Sequence, residues 1–159
     1  MFRAMRRCKQ QVSEEECKKI LKEEKRAAFS VVGDDGYPYT IPINFYYDEP
    51  DNKIYFHGAK EGHKVDAIHR CNKVCLTVWN QGFQREGHWE WNVTSVVVFG
   101  KVVPVEEQAI AKDRLRKLAT KYYPTQEEVE TEMNGSAAER VQMFAIEIEH
   151  MTGKLVNEK

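Results

Sequence analysis

The chain has 159 residues and a formal net charge of -1 at pH 7, with 24 basic and 25 acidic side chains. This length predicts one domain with a sizeable core, and the balanced charge gives no general attraction to nucleic acid or to a membrane surface. The basic N-terminal residues lead into Gln10, Gln11 and an acidic run instead of an apolar segment. We therefore expect a soluble, cytoplasmic protein with no leader and no membrane span.

Neither the cysteines nor the histidines have the spacing of metal ligands. The four cysteines are Cys8, Cys17, Cys71 and Cys75. They lack paired C-x-x-C spacing, so we interpret them as free thiols of a reducing compartment. His57, His63 and His69 recur every six residues, whereas ligands on one helical face recur every three or four. The serines also lie outside any G-x-S-x-G motif, which argues against a hydrolase of that type.

The first 26 residues are predicted to form an N-terminal arm and a short helix. Ser13 and Glu16 have the spacing of a capping box, and Cys17, Ile20 and Leu21 form an apolar stripe behind it. A short apolar strand, 29–32, follows and ends at a turn of glycines and aspartates, 33–36.

The stretch Tyr37–Lys64 is predicted to be a hairpin followed by a glycine-containing turn. Odd-numbered residues from Tyr39 to Tyr47 are apolar and share one face, and Ile54 and Phe56 continue that face on the second strand. The tightest loop pairs Tyr47 with Ile54, which places Asn44 opposite His57. The non-core face would then carry Thr40, Asn44, Tyr55 and His57.

The turn 58–64 has features of an anion site. Gly58 and Gly62 allow backbone amides to approach a ligand, and the start of the following helix offers unpaired N–H groups together with Lys64. The same pattern is also typical of an ordinary loop before a helix with a solvated lysine.

Three more strands and a helical segment complete the predicted fold. The strands are 74–79, 93–105 with a bend or bulge at Gly100, and 144–149. Residues 106–141 form a helical insertion before the last strand, in which Ala111, Leu115, Leu118 and Tyr122 line one face of its long helix. The polar and aromatic loop 80–92 is a candidate lid or subunit contact. We therefore predict a mainly β (α+β) fold, a six-stranded antiparallel barrel with appended short helices.

Four segments of the chain resemble a known family in the same order. They are Tyr37–Asp48, Ile54–Lys64, Ser95–Lys101 and Thr152–Lys154. Together they resemble the FMN-binding split β-barrel proteins related to pyridoxamine 5'-phosphate oxidase, with the nitroimidazole-resistance (Nim-like) group as the nearest branch. The resemblance covers most of the chain, with the hairpin and the strand from Ser95 as its most specific parts.

This resemblance implies a cofactor, an assembly and a set of contacts. Members of the family are homodimers that bind two FMN molecules at the subunit interface. By resemblance, Lys64 and His63 would grip the FMN phosphate, and Ser95 would add a polar contact. The residues along the flavin and ribityl chain would be Thr40, Pro42, Asn44, Tyr55 and His57. The chain lacks the Arg and His pattern that grips pyridoxal phosphate near the C-terminus, so pyridoxamine phosphate oxidation itself is not expected.

We therefore expect an FMN-dependent oxidoreductase that acts on a small aromatic or nitroaromatic substrate, with NAD(P)H as a possible electron donor and His57 as the candidate catalytic proton-handling residue. A non-catalytic flavin- or haem-binding protein on the same barrel is the alternative. In that case His57, His63 or His88 could be an axial haem ligand. A barrel that serves only as an interaction module is the third possibility.

Overall fold

Local sequence signals explain where two helices begin in this computed structural model, which describes residues 1–159. The helices are α1 (Glu14–Glu23), α2 (His63–Arg70), α3 (Gln108–Tyr122), α4 (Gln126–Met133) and α5 (Ser136–Arg140). Ser13 accepts a hydrogen bond from the Glu16 amide and Glu16 accepts one from the Ser13 amide, so the predicted capping box is confirmed. Thr125 and Glu128 cap α4 in the same way. No helix is long and apolar enough to cross a membrane.

Eight antiparallel strands make one curled sheet. They are β1 (Ala27–Val32), β2 (Pro38–Ile43), β3 (Tyr46–Asp48), β4 (Lys53–Gly58), β5 (Lys73–Trp79), β6 (Phe83–Gln84), β7 (Trp91–Pro104) and β8 (Gln142–Asn157). Seven of them lie in the order β2-β1-β5-β7-β8-β4-β3, and β6 pairs with β7. The two edge strands, β2 and β3, are joined directly through Asn44 and Phe45. The continuous chain therefore closes the barrel at this point. β3 pairs with β4 but β2 does not, and we call the unpaired gap between β2 and β4 the split.

The predicted split-barrel fold class is confirmed, with a different strand count. The predicted strand from Tyr39 to Tyr47 is broken at Asn44 and Phe45 into β2 and β3, and the loop 80–92 contributes the two-residue strand β6. These two changes turn six predicted strands into eight. Periodicity alone does not reveal the break, because the alternation of buried and exposed residues continues through it.

The main core fills the barrel. Its largest fully buried side chains include Phe29, Phe45, Phe56 and Phe144. The Phe56 ring stacks on that of Phe144 at 5.2 Å between centroids and packs at a tilt against that of Phe29 at 5.0 Å. Helix α1 closes one end with Cys17, Ile20 and Leu21, which are all buried as predicted. The hairpin's apolar face is therefore the core face, because Ile43, Phe45, Tyr47, Ile54 and Phe56 all belong to this cluster.

The two long strands β7 and β8 form the back of the barrel, and their register shifts between Phe99 and Gly100. A Cβ atom at Gly100 would lie 2.8 Å from Cγ2 of Ile146 and still closer to the carbonyl oxygen of Glu147. Glycine is needed here for close backbone approach, and the predicted bend at Gly100 is confirmed as a bulge.

The helical segment α3–α5 packs over the outer side of β3, β4 and β8. Its contacts form a second small cluster in which Tyr55, Met143 and Ala145 are buried against Ala111 and Leu115 of α3. The insertion therefore covers part of the non-core face of the hairpin.

Candidate functional site

The split in the barrel opens into a cavity of about 280 Å³. Asn44, at the strand break, and His57, near the end of β4, lie on the barrel side of this cavity. The insertion provides the rest of the wall, which is mostly apolar: Leu115, Leu118, Ala119, Tyr122, Tyr123, Glu132, Met133, Ala137, Ala138 and Val141. An apolar cavity with a few polar groups at one side is typical of a small-ligand site.

Asn44 and His57 line the same cavity, although they are not the cross-strand pair that was predicted. The pairing of Tyr47 with Ile54 is confirmed, but the ladder ends at Tyr46 and Tyr55. The chain turns away at Phe45, so Asn44 is not paired with His57. Both side chains are exposed and line the same cavity, where they can contact one ligand.

His57 lies in an environment that disfavours its charged form. Partial burial of the ring lowers the pKa of His57, the ammonium of Lys64 lowers it further, and the carboxylate of Glu132 opposes these two effects. A pKa below the ordinary value of 6.5 leaves the imidazole neutral at pH 7. A neutral imidazole carries one N–H donor and one acceptor nitrogen, so it can both accept and donate a proton.

Lys64 is a half-buried cation with no acidic partner. Its ammonium group makes no salt bridge within 4.0 Å and lies 5.4 Å from the centroid of the Phe56 ring, and burial lowers its pKa. Gly58 leaves room for it, because a Cβ atom there would lie 3.0 Å from Nζ of Lys64. A desolvated ammonium group without a carboxylate is a ready partner for an external anion.

The start of α2 adds further donors beside Lys64. Gly62 is the N-cap residue with φ of +122°, and no side chain caps the helix. The first backbone N–H groups of the helix therefore have no intrahelical acceptor and no capping side chain. Together with Lys64, this donor set fits a phosphate group, as the sequence suggested.

His63 is held toward the neighbouring turn. Its ring stacks on Tyr39 with centroids 4.1 Å apart, and its Nε2 lies 3.7 Å from Oδ2 of Asp34. In this arrangement His63 already has protein partners, in contrast to Lys64.

Thr40 and Pro42 lie on the exposed side of β2, outside the cavity at the split. They line a separate groove together with Trp79, next to Ala28 on β1. The hydroxyl of Thr40 is 2.7 Å from that of Ser30. Asn44, which follows the end of β2, is the residue of this segment that reaches the cavity. The predicted contacts are therefore divided between the cavity at the split and this groove.

Tyr55 lies on the non-core face of the hairpin, where α3 covers it. Only 3 % of its surface is exposed, because α3 packs on it and the guanidinium of Arg114 lies 5.1 Å from its ring centroid. Its hydroxyl donates a hydrogen bond of 2.5 Å to Asp51. Burial and this carboxylate raise the pKa of Tyr55 to about 12, so its hydroxyl stays protonated at neutral pH.

Ser95 lies on β7, opposite Trp79 of β5 and Lys154 of β8. It is partly buried and lines none of the cavities described above. The structure therefore places Ser95 on the outer sheet surface beyond Trp79, apart from His57 and Lys64.

The residues that α3–α5 contribute to the cavity were not predicted from the sequence. The stripe of Leu115, Leu118 and Tyr122 predicted a buried face for α3, but the sequence held no signal for what that face covers. Nothing in the sequence indicated that Glu132 lines the cavity, because a single glutamate on an acidic helix is common. No group of three or more His, Cys, Asp or Glu side chains is placed to hold a metal ion.

Comparison with known proteins gives one family and a set of similar folds. A model of the family described as pyridoxamine 5'-phosphate oxidase matches residues 13–155. The search of curated proteins gives no match.

Several solved structures share the fold at low sequence identity. A candidate 5-nitroimidazole antibiotic resistance protein from Bacteroides thetaiotaomicron is 23% identical with a TM-score of 0.78, over 92% of this chain and 87% of that one. An FAD-binding protein from Mesorhizobium loti is 21% identical with a TM-score of 0.69, over 92% and 96%. The flavocytochrome Anf3 from Azotobacter vinelandii is 20% identical with a TM-score of 0.72, over 96% and 72%.

Proposed function

The chain belongs to the pyridoxamine 5'-phosphate oxidase family, and on that premise we propose that it binds FMN and uses it to oxidise or reduce a small aromatic or nitroaromatic compound. The observation that carries the proposal is the unpaired, half-buried ammonium of Lys64 beside the uncapped start of α2. The names of similar structures, an FAD-binding protein and a flavocytochrome, also favour a flavin.

The proposal assigns a cofactor contact to each of these residues. Lys64 and the first N–H groups of α2 would hold the phosphate, with His63 beside them. Asn44 and His57 would contact the ring system from the cavity, and Thr40 and Pro42 would contact the cofactor from the neighbouring groove. Ser95, on the outer sheet surface, would add a polar contact. Bound flavin supplies the hydride or electron transfer, and the protein supplies position and surroundings.

His57 is the proposed catalytic residue for proton handling. Its lowered pKa keeps a neutral imidazole available near pH 7, so it can take a proton from a substrate or return one without first losing its own charge. The apolar wall formed by Leu115, Leu118 and Met133 would accept a small aromatic ring and keep bulk water away from it. The electron donor we propose is NAD(P)H.

We also propose that two copies associate through the outer sheet face. Several large apolar side chains are exposed around this face and the adjoining loop: Val32, Trp79, Phe83, Trp89, Trp91 and Phe99. A cluster of exposed aromatic residues is unusual on a monomer and typical of an interface. All four cysteines are free thiols, which supports the proposal of a cytoplasmic location.

The test is the absorption spectrum of the protein as purified and after addition of FMN. We expect the bands of a bound oxidised flavin, bleaching by NAD(P)H under anaerobic conditions, and recovery on addition of a nitroaromatic acceptor. Protein that stays colourless after FMN addition, or that shows only a haem Soret band, would refute the proposal. Sedimentation would report the dimer separately.

A further inference from the structure

The strand break at Phe45 leaves backbone polar groups without hydrogen-bond partners in the sheet. The β2 ladder ends at Ile43 and the β3 ladder begins at Tyr46, so the amide and carbonyl of Phe45 have no partner in the sheet. The residue is nonetheless fully buried, at 0 % exposure. Buried backbone polar groups are almost always hydrogen-bonded, so partners from elsewhere are required.

The C-terminal turn of α3 supplies both partners. The hydroxyl oxygen of Tyr122 accepts a hydrogen bond of 2.9 Å from the Phe45 amide. The same hydroxyl can donate its proton to the Lys25 carbonyl at 2.5 Å or to the Phe45 carbonyl at 3.0 Å. The Phe45 carbonyl accepts a hydrogen bond of 3.1 Å from the ammonium of Lys121.

Lys121 also ties this point to the first helix. Its ammonium group donates to the carbonyl of Leu21 at 3.3 Å and lies 3.9 Å from the centroid of the Phe45 ring. It has no salt bridge to an acidic side chain. Lys121 and Tyr122 therefore connect the strand break at Phe45 to Leu21 near the end of α1 and to Lys25 just after that helix.

We infer that Lys121 and Tyr122 are positioning residues for the site, because they fix the break at Phe45 and so set the position of Asn44 in the cavity that it shares with His57. Asn44 directly precedes Phe45, and Tyr122 itself lines the cavity that holds Asn44 and His57. The catalytic consequence rests on the proposed function. The local consequence does not, since it concerns the backbone of Phe45 alone.

Amide hydrogen exchange of the flavin-free protein tests the local arrangement. In Tyr122→Phe we expect the Phe45 amide to exchange roughly tenfold faster, because it loses its acceptor, while amides in the middle of β7 and β8 keep their rates. The control is Tyr47→Phe, which removes a hydroxyl that bonds only Asn52. An unchanged Phe45 rate in Tyr122→Phe, or an equal change in the control, would overturn the inference.

The visible circular dichroism of bound FMN tests the effect on the site. We expect Tyr122→Phe and Lys121→Met to change this signal at saturating FMN, and Tyr47→Phe to keep it. Lys121→Met serves as the second variant if Tyr122→Phe does not fold. Wild-type dichroism in both variants would overturn the positioning role. Failure of the wild-type protein to bind FMN would instead refute the proposed function and leave the exchange result to decide the local arrangement.

Discussion

Replacing Lys64 by Met tests the phosphate contact most directly. Met keeps the length and apolar stem that packs near Phe56 but removes the ammonium group. A hydrogen bond to a charged group contributes about 1.5–3 kcal/mol. Lys64 is already half-buried before FMN binds, so binding removes less water from its ammonium group than from that of an exposed lysine. Taking about 2 kcal/mol, we expect FMN affinity to fall about thirtyfold, because about 1.4 kcal/mol corresponds to a factor of ten.

The assay is quenching of FMN fluorescence at pH 7, with riboflavin as the phosphate-free comparison. Riboflavin affinity should be the same for wild type and Lys64→Met, because riboflavin lacks the group that Lys64 contacts. The matched variant is Lys60→Met, an exposed lysine in the same turn, which should change FMN affinity less than about threefold as expected for an exposed charge. Equal losses for FMN and riboflavin, or for Lys64→Met and Lys60→Met, would refute the reasoning.

The thermal stability of Lys64→Met provides an independent check, because we expect stability to stay the same or rise while FMN affinity falls. Removing an unpaired, half-buried charge should leave the flavin-free protein at least as stable as wild type. A clear drop in its melting temperature would show that Lys64 contributes to folding, and the weakened FMN affinity would then follow from a disturbed fold.

Three further changes test the fold. Gly100→Ala should lower stability by about 3 kcal/mol, since its Cβ would overlap β8, and calorimetry should show a smaller loss for Gly36→Ala, whose Cβ meets nothing within 4 Å. Ser13→Ala should cost about 1 kcal/mol in urea unfolding, because it removes the cap of α1, and an unchanged midpoint would contradict this. Burial first and Lys25 second lower the pKa of Lys121 from 10.5 to about 8, so between these values the unfolded chain binds more protons and stability should rise with pH. Lys121→Met should lose that rise, and a parallel pH profile for the variant would disprove it.

Much of the fold was predictable because its signals are local. The capping boxes at Ser13 and Thr125 depend on residues three apart and need no tertiary information. The pairing of Tyr47 with Ile54 followed from alternation and loop length. Gly100 could be identified as a bend or bulge because a glycine inside a β-branched run weakens the strand and is typical of such an irregularity.

The site was predictable only in part, because tertiary packing brings its residues together from segments far apart in the sequence. The turn before α2 indicated an anion site from Lys64 and its glycines, and the structure adds that this lysine has no acidic partner. The non-core face was expected to carry Tyr55, but the sequence did not indicate that α3 covers this residue. Nothing in the hairpin sequence could have shown this, because the covering helix lies about fifty residues later in the chain.

Strand periodicity, the starts of α1 and α4 and the donors of the turn at residues 58–64 follow from local sequence, because short-range sterics and hydrogen bonding govern these features. Three features follow only from the packing of distant segments. They are the strand break at Phe45, the hydrogen bonds from Lys121 and Tyr122 to the backbone there, and the cavity that Asn44 and His57 share with α3–α5. Such features depend on which distant surfaces bury each other, and the free energy of that burial depends on the whole chain.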